Sequence, residues 1–212
     1  MNMEKSIPFV KGLKHFKEVI FPKNEEEFVK LVKEGQHPEA LFITCSDSRI
    51  LPVTLTGAKA GELFVVRDIG NIVPPFKPEK GFHGIAAAVE YAVSVLNVPH
   101  IIICGHSHCG ACKALYKELP DSIEYIHIKK WLTLGDEVKE KALEMVPEKS
   151  EELYRVTEKL NILKQIESLL TYPAVKERVE KGLLKIHGWY YVMEKGEIFY
   201  FNPEKEEFVP AI

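Results

Sequence analysis

Two cysteines and one histidine stand at the ends of two apolar stretches of this chain. Cys45 closes the run that begins at Leu41, and His106 and Cys109 follow the run that begins at Ile101. Thiolates and imidazoles are ligands that zinc prefers in proteins, and catalytic zinc sites use three protein ligands and keep a fourth position open. These residue types therefore predict a zinc site with one position free for reaction.

The two apolar stretches must be neighbouring strands if the three side chains are to meet. Ligand sites of α/β proteins lie in the crevice at the carboxyl ends of parallel strands. Cys45 closes one predicted strand, and His106 and Cys109 lie where the other ends and the next helix begins, near Gly110. If the strands lie side by side, the three ligands converge.

Asp47 and Arg49 follow Cys45 closely enough to serve the same site. Two thiolates cancel the formal charge of Zn²⁺, so a nearby acceptor is useful to orient the reacting oxygen. Asp47 is the candidate acceptor. Arg49 can hold its carboxylate in a two-pronged pair, which fixes the side chain and keeps it ionised.

The motifs Cys45-Ser-Asp-Ser-Arg49 and His106-Ser-His-Cys-Gly110 resemble those of β-class carbonic anhydrases, specifically the plant-type members with an open site. The resemblance extends over about residues 35–188. It implies reversible hydration of CO₂ to bicarbonate and a proton, by attack of a zinc-bound hydroxide. It also implies one Zn²⁺ per subunit, held by Cys45, His106 and Cys109, with Asp47 and Arg49 as catalytic residues.

The resemblance extends to a substrate pocket. It implies that Gln36 supplies an amide donor and that Phe64 and Tyr91 supply aromatic walls, which suits a small apolar substrate that becomes an oxyanion. Gly110 is expected to allow close approach at the helix start. Plain core packing is the alternative for Phe64 and Tyr91. In the family a partner subunit completes this pocket, so we expect a homo-oligomer, either a dimer or a tetramer.

Three positions depart from the family pattern. Phe42 stands where relatives with an inhibitory bicarbonate site carry a tryptophan, so we predict that this inhibitory site is absent. Asp68 replaces the usual asparagine and could pair with Arg67 or alter the subunit interface. Val95 replaces a proposed proton-relay histidine. Proton export through His37, His108 or buffer remains open.

Other functions compete with CO₂ hydration. A hydrolase on the same scaffold would act on CS₂ or COS, and a non-catalytic protein would bind zinc or bicarbonate with no open metal position. The C-x-x-C spacing of Cys109 and Cys112 is also typical of redox pairs. That third interpretation leaves Asp47 and Arg49 without a role.

The composition limits the broad class of protein. The chain has 212 residues, a net charge of -3 and 46% hydrophobic residues. We predict one domain over residues 1–212, with residues 1–35 as an N-terminal helical arm. The charge gives no reason to expect nucleic acid, and no apolar stretch is long enough to cross a membrane. The absence of a signal-like start and of a disulfide framework favours a cytoplasmic protein.

Hydrophobic periodicity predicts strands that alternate with helices, and hence an α/β fold with a mainly parallel central sheet flanked by helices. A hairpin at the C-terminal end is expected at the sheet edge. Asn24 is expected to cap a helix of the arm. The predicted strands span 38–45, 62–67 and 101–104, the hairpin pairs 183–193 with 197–202, and the main helices span 84–96, 111–119 and 151–170. The last of these is expected to bury Leu153, Val156, Leu160, Leu163, Ile166 and Leu170.

Overall fold

The computed structural model describes residues 8–79 and 81–212, and six strands form one sheet in this part of the chain. The strands are, in chain order, β1 (Ala40–Cys45), β2 (Leu63–Asp68), β3 (His100–His106), β4 (Lys185–Val192), β5 (Glu197–Asn202) and β6 (Glu207–Pro210). Their spatial order is β2-β1-β3-β4-β5-β6. The first four strands are parallel, and β5 and β6 are antiparallel additions. The predicted mainly parallel sheet is confirmed.

Helices occupy most of the remaining described chain. The α-helices are α1 (Val10–His15), α2 (Phe21–Glu34), α3 (Pro52–Thr56), α4 (Gly84–Glu90), α5 (Gly110–Ala114), α6 (Ile126–Leu132), α7 (Asp136–Met145), α8 (Glu151–Leu170) and α9 (Pro173–Glu180). Two π-helical segments, Phe16–Ile20 and Tyr91–Val95, continue α1 and α4, and short 3₁₀ segments precede and follow α6. The described residues divide into two compact units, one that ends at His37 and one that begins at Pro38.

Helix α8 lies close against β3 and β4 because two glycines leave room for it. A Cβ atom at Gly105 would lie 2.6 Å from Cγ1 of Ile162, and one at Gly188 would lie 2.9 Å from its Cγ2. Ile162 is fully buried in the main core cluster. The close approach brings polar residues of α8 within hydrogen-bonding distance of the carboxyl ends of the strands.

The buried face of α8 differs from the expected one. Ser150 caps the helix by accepting the N–H of Leu153, and Leu153 is buried as predicted. Leu170, however, is 38% exposed. Leu160 and Leu163 line a cavity with Val138 of α7. The face that is buried is largely polar: it carries Thr157, Glu158, Asn161, Gln165 and Ser168. The spacing of the leucines therefore predicted the buried face of α8 only in part. The helix divides its apolar contacts between α7 and the sheet.

The N-terminal unit contains one helical run rather than two capped helices. Residues 10–34 are helical throughout, with the π-helical segment directly before Phe21. The expected cap at Asn24 is wrong, because Asn24 lies inside α2 and its Nδ2 donates to the carbonyl of Ile20. Pro22 lacks the backbone N–H of a regular helical turn and follows the π-helical segment. The helical character of the predicted arm is confirmed for the described residues.

Two element boundaries and one additional strand differ from the sequence-based predictions. Strand β3 continues through Gly105 to His106, and helix α5 ends at Ala114 instead of near residue 119. The hairpin turn at Gly196 is present, with φ of 68° in the left-handed region that glycine tolerates. The additional strand β6 was missed, because four residues that end in a proline carry too little periodicity to predict a strand.

Candidate active site

The three predicted metal ligands meet at the carboxyl ends of β1 and β3. Cys45 is the last residue of β1, His106 is the last residue of β3, and Cys109 directly precedes α5. The two strands are parallel neighbours, with Thr44 opposite Cys104. One ligand atom from each of the three residues lies within 4.8 Å of the others, and all three residues are buried. The expected convergence is confirmed.

The His106 ring is oriented as a metal ligand requires. Its Nδ1 lies 2.8 Å from the carbonyl oxygen of Ser107, so this nitrogen carries the proton and donates it. Nε2 is then left with its lone pair, and it is buried without a hydrogen-bond partner. A buried acceptor without a partner is costly unless something else binds it. Binding of a cation by Nε2 fits this arrangement. The hydrogen bond at Nδ1 fixes the tautomer that such binding needs.

The surroundings of the Cys45 and Cys109 thiols also favour binding of a cation. A hydrogen bond with the Cys109 thiol, together with burial, raises the pKa of Cys45 to about 12. A hydrogen bond with the Cys112 thiol raises the pKa of Cys109 as well. Neighbouring buried thiols ionise when a positive charge binds between them. The donor set of two sulfurs and one imidazole nitrogen is one that zinc accepts.

Asp47 and Arg49 form the predicted two-pronged pair. Arg49 donates from Nε to Oδ1 at 2.9 Å and from Nη2 to Oδ2 at 2.7 Å, and its backbone N–H donates to Oδ1 at 3.0 Å. These bonds hold the pKa of Asp47 well below its usual range, chiefly through the Arg49 side chain. Because Arg49 bonds both oxygens, the carboxylate is held in one orientation and stays ionised.

Three further hydrogen bonds tie this pair and its loop to the strand ends. Nη2 of Arg49 also donates to the carbonyl of His108 at 3.2 Å, so the loop after β1 is linked to the turn that carries Cys109. Arg67 donates from Nε to the carbonyl of Cys45 at 3.2 Å and from Nη2 to that of Asp47 at 2.7 Å. Arg67 therefore fixes the backbone of the site rather than pairing with Asp68.

Glu158 of α8 is a site residue that sequence reasoning missed. Its carboxylate is buried and accepts the backbone N–H of Cys109 at 2.9 Å and the hydroxyl of Tyr190 at 2.8 Å. Arg155 lies 3.2 Å away and supplies positive charge. Burial nevertheless raises the pKa of Glu158 to about 7. In sequence, a glutamate in a charged helix indicates a solvated face, and no signal distinguished this one.

The turn between His106 and Cys109 is held by residues of the β4–β5 hairpin. Ser107 is buried, and its Oγ donates to Glu194 at 2.5 Å and accepts the N–H of Met193 at 2.9 Å. His108 adopts a left-handed φ of 57°, and its Nε2 lies 3.3 Å from Glu194. The ring of His108 therefore turns towards the hairpin and its acids.

The residues expected to line the substrate pocket differ in their immediate surroundings. Phe64 and Tyr91 stack on each other with ring centroids 5.9 Å apart, and Phe64 packs against the main core cluster. Gln36 belongs to the N-terminal unit. A Cβ at Gly110 would meet no atom within 4 Å, so the expected close approach at this helix start does not occur within the described chain. The roles of these residues in substrate binding remain predictions.

Two positions that depart from the family pattern, Phe42 and Asp68, make contacts that stabilise this chain. Phe42 is fully buried and packs edge-on against Trp189, with ring centroids 6.0 Å apart. Asp68 is buried too, and its Oδ1 accepts the N–H of Ile72 at 2.7 Å, which holds the loop after β2. Burial raises the pKa of Asp68 to about 7. Both positions are thus occupied by residues with structural contacts inside this chain.

The fold and the site define an α/β enzyme with a Cys-His-Cys centre at the carboxyl ends of a parallel sheet. The family model for carbonic anhydrase matches residues 40–198. The chain therefore belongs to the carbonic anhydrase family, and its structural neighbours place it in the β class. It is a carbonic anhydrase, which catalyses the reversible hydration of CO₂. β-Class carbonic anhydrases are zinc enzymes.

Individual relatives match most of the chain. A carbonic anhydrase of Synechococcus elongatus is 41% identical over 192 residues, which cover 89% of this chain and 69% of the relative. One of Helicobacter pylori is 39% identical over 199 residues and 90% of each chain. The structure of the β-carbonic anhydrase CcaA superposes with a TM-score of 0.90 at 38% identity, covering 99% of this chain and 92% of the other.

A further structural relative is described as tetrameric. The structures of two tetrameric β-carbonic anhydrases from Sordaria macrospora include one with a TM-score of 0.78 at 30% identity, covering 91% of this chain and 94% of the other. Separately, none of the helices in the described residues is long and apolar enough to span a membrane.

Proposed function

We propose that this carbonic anhydrase binds one Zn²⁺ through the two thiolates and the imidazole of Cys45, His106 and Cys109. The observation that carries this proposal is the buried Nε2 of His106, which has no hydrogen-bond partner and lies beside two thiols. When bound there, zinc supplies the positive charge that makes a water molecule nucleophilic near neutral pH. The substrates are CO₂ in one direction and bicarbonate in the other.

Asp47 orients the attacking oxygen in this proposal. Its carboxylate accepts a hydrogen bond from the nucleophile and directs a lone pair towards the carbon of CO₂. Arg49 keeps this acceptor ionised and in one orientation, and Arg67 holds the backbone of the same loop. Because Arg49 and Arg67 fix Asp47 and its loop before the reaction, little reorganisation is needed when the C–O bond forms.

We further propose that the site is open at neutral pH, as in the plant-type members. Both Asp47 oxygens accept hydrogen bonds from Arg49, and this pair would have to open before Asp47 could become a fourth zinc ligand. Phe42 supports the same conclusion, since it cannot donate the hydrogen bond that a tryptophan would offer to bicarbonate.

The protein is proposed to act as a homo-oligomer, a dimer or a tetramer, in which a partner completes the pocket. The Phe64 and Tyr91 rings stack on each other, Phe64 also packs on the core, and Tyr91 is 45% exposed. Within an oligomer they can serve the pocket of a neighbouring subunit together with Gln36 and Gly110. A cytoplasmic location is proposed because the four cysteines are all free, as expected for a reducing compartment.

Replacing one ligand tests the proposed zinc site. Cys45→Ser should remove both bound zinc and CO₂ hydration, because serine is a poor zinc ligand. Cys104→Ser is the matched control, since Cys104 is also a buried cysteine of the central sheet but lies outside the ligand cluster. Zinc content by elemental analysis and stopped-flow hydration are the two measurements. Full zinc content and full activity in Cys45→Ser would refute the ligand assignment.

A further inference from the structure

Two histidines face each other at the end of the sheet opposite to the active site. His100 begins β3, and His187 is near the start of β4, which is parallel to β3. Nε2 of His187 lies 3.1 Å from Nδ1 of His100, and the ring centroids are 5.2 Å apart. His100 and His106 are six residues apart on one strand, which at about 3.3 Å per residue separates them by about 20 Å.

The distance between these two nitrogens suits a shared metal ion. Imidazole nitrogens bind zinc and similar ions at about 2.0–2.1 Å. Two nitrogens 3.1 Å apart then subtend an angle of about 100° at the ion, which lies between octahedral and tetrahedral values. One ring must move its proton to its other nitrogen so that both lone pairs are free. No net proton is released by this tautomer change.

The surroundings of the pair leave room for solvent. The pair borders a cavity of about 390 Å³, which Glu39 and Glu62 also line. These two residues are adjacent, because the N–H of Glu39 donates to the carbonyl of Glu62 at 2.8 Å. Glu62 uses Oε2 to accept the N–H of Lys59. The cavity has room for water, which can complete a coordination sphere that begins with the two imidazoles.

The environment of His187 favours the neutral form of its ring. Burial lowers the pKa of His187, and His100 and Lys185 lower it further. Both rings are only half buried, so solutes can reach them. A neutral imidazole is the form that binds metals.

We propose that His100 and His187 form a second metal site, for a divalent transition-metal ion that prefers imidazole nitrogen. Ni²⁺, Cu²⁺ and Zn²⁺ are such ions. The site has two protein nitrogens as its fixed ligands and water in the other positions. A bound ion links β3 to β4 at the amino ends of the strands and stabilises the folded chain by mass action.

Calorimetric titration of tag-free, zinc-loaded protein with Ni²⁺ tests the site. Wild-type protein should bind one equivalent of Ni²⁺ without losing its zinc, and the ion should raise the unfolding temperature. His187→Gln should weaken binding at least about tenfold, or about 1.4 kcal/mol. Glutamine can still hydrogen-bond His100 but is a poor ligand for nickel, so this variant separates loss of the ligand from loss of packing.

The controls make each outcome decisive. His100→Ala should behave as His187→Gln does, and His127→Ala, an exposed histidine elsewhere, should bind Ni²⁺ as wild type does. Zinc content after titration excludes exchange at the active site. Equal Ni²⁺ affinity in wild type and His187→Gln would overturn the proposal. Absence of Ni²⁺ binding by the wild type would overturn it as well.

Discussion

At the scale of single residues, the site depends on a few short hydrogen bonds with defined direction. His106 uses one nitrogen to bond a carbonyl and keeps the other for a ligand. Arg49 bonds both oxygens of Asp47. Both arrangements fix a side chain before substrate arrives, and a pre-oriented group loses little entropy during the reaction.

Arg49 should therefore matter for turnover more than for metal binding. Arg49→Ala removes the two-pronged pair, and we expect kcat/KM for CO₂ hydration to fall about 10- to 100-fold, the usual effect of losing such a supporting partner. Arg49→Lys should recover only part of the loss, because an ammonium group cannot bond both oxygens in the same plane.

The measurement is stopped-flow hydration at neutral pH alongside zinc analysis of each variant. Lys129→Ala serves as the control, since Lys129 pairs with the exposed Asp121 rather than with Asp47. Wild-type kcat/KM in a fully zinc-loaded Arg49→Ala variant would show that Asp47 needs no anchor.

At the scale of elements, the position of α8 on the sheet determines how well the site is supported. The helix contributes Glu158 to the Cys109 turn, and it contributes Asn161 and Gln165 to the loop after β2. Those contacts require the close approach at Gly105 and Gly188. The packing of α8 against the sheet therefore affects how firmly the turn with the metal ligand Cys109 is held.

Gly105→Ala tests this dependence. The added Cβ would press on Ile162, and overpacking of this kind typically costs about 1–3 kcal/mol of unfolding free energy. Gly84→Ala is the matched control, because a Cβ there meets no atom within 4 Å and its effect should stay within about 0.5 kcal/mol. Denaturant unfolding of both variants gives the comparison. Equal stability of Gly105→Ala and wild type would show that α8 can shift without cost.

The sequence predicted some of these elements better than others, for physical reasons. The bounds of α8 were predictable because Ser150 caps its start and the apolar period is long. Its buried polar face was not, because the partners of Glu158 and Asn161 come from strands and loops distant in the chain. The cap at Asn24 was wrongly placed because a π-helical segment lets the helix continue past that point.

The candidate site was more predictable than the helix faces. Cys45, His106 and Cys109 each stand at the end of an apolar run, and parallel strands bring such ends together. The hydrogen bonds that Arg67 and Glu194 form around the site join residues far apart in the chain, so no local sequence pattern predicts them. Ligand types are therefore visible in a single sequence, whereas the residues that hold them are not.

At the scale of the whole molecule, the proposed oligomer leads to a further prediction. The helical run of residues 10–34 exposes Leu13, Phe16 and Val32. Scattered exposed apolar side chains are common, but a row of them along one helical segment indicates an interaction surface. We expect these residues to contact a neighbouring subunit.

Light scattering after size exclusion checks this prediction. The wild type should have at least twice the mass of one chain at micromolar concentration. Leu13→Asp combined with Phe16→Asp should shift it towards the monomer, whereas Lys11→Asp, on the same helix, should leave the mass unchanged. A monomeric wild type, or an unchanged mass in the double variant, would contradict the assignment of this surface.

The most direct test of the central claim is stopped-flow CO₂ hydration by stoichiometrically zinc-loaded protein at about pH 7 and about pH 9, on either side of the expected ionisation of the metal's water. The account predicts catalysis at both values, because Asp47 stays bonded to Arg49 and the site is open. Activity at about pH 9 alone would contradict the open site. No activity at either pH, with zinc bound, would contradict the zinc-dependent mechanism itself.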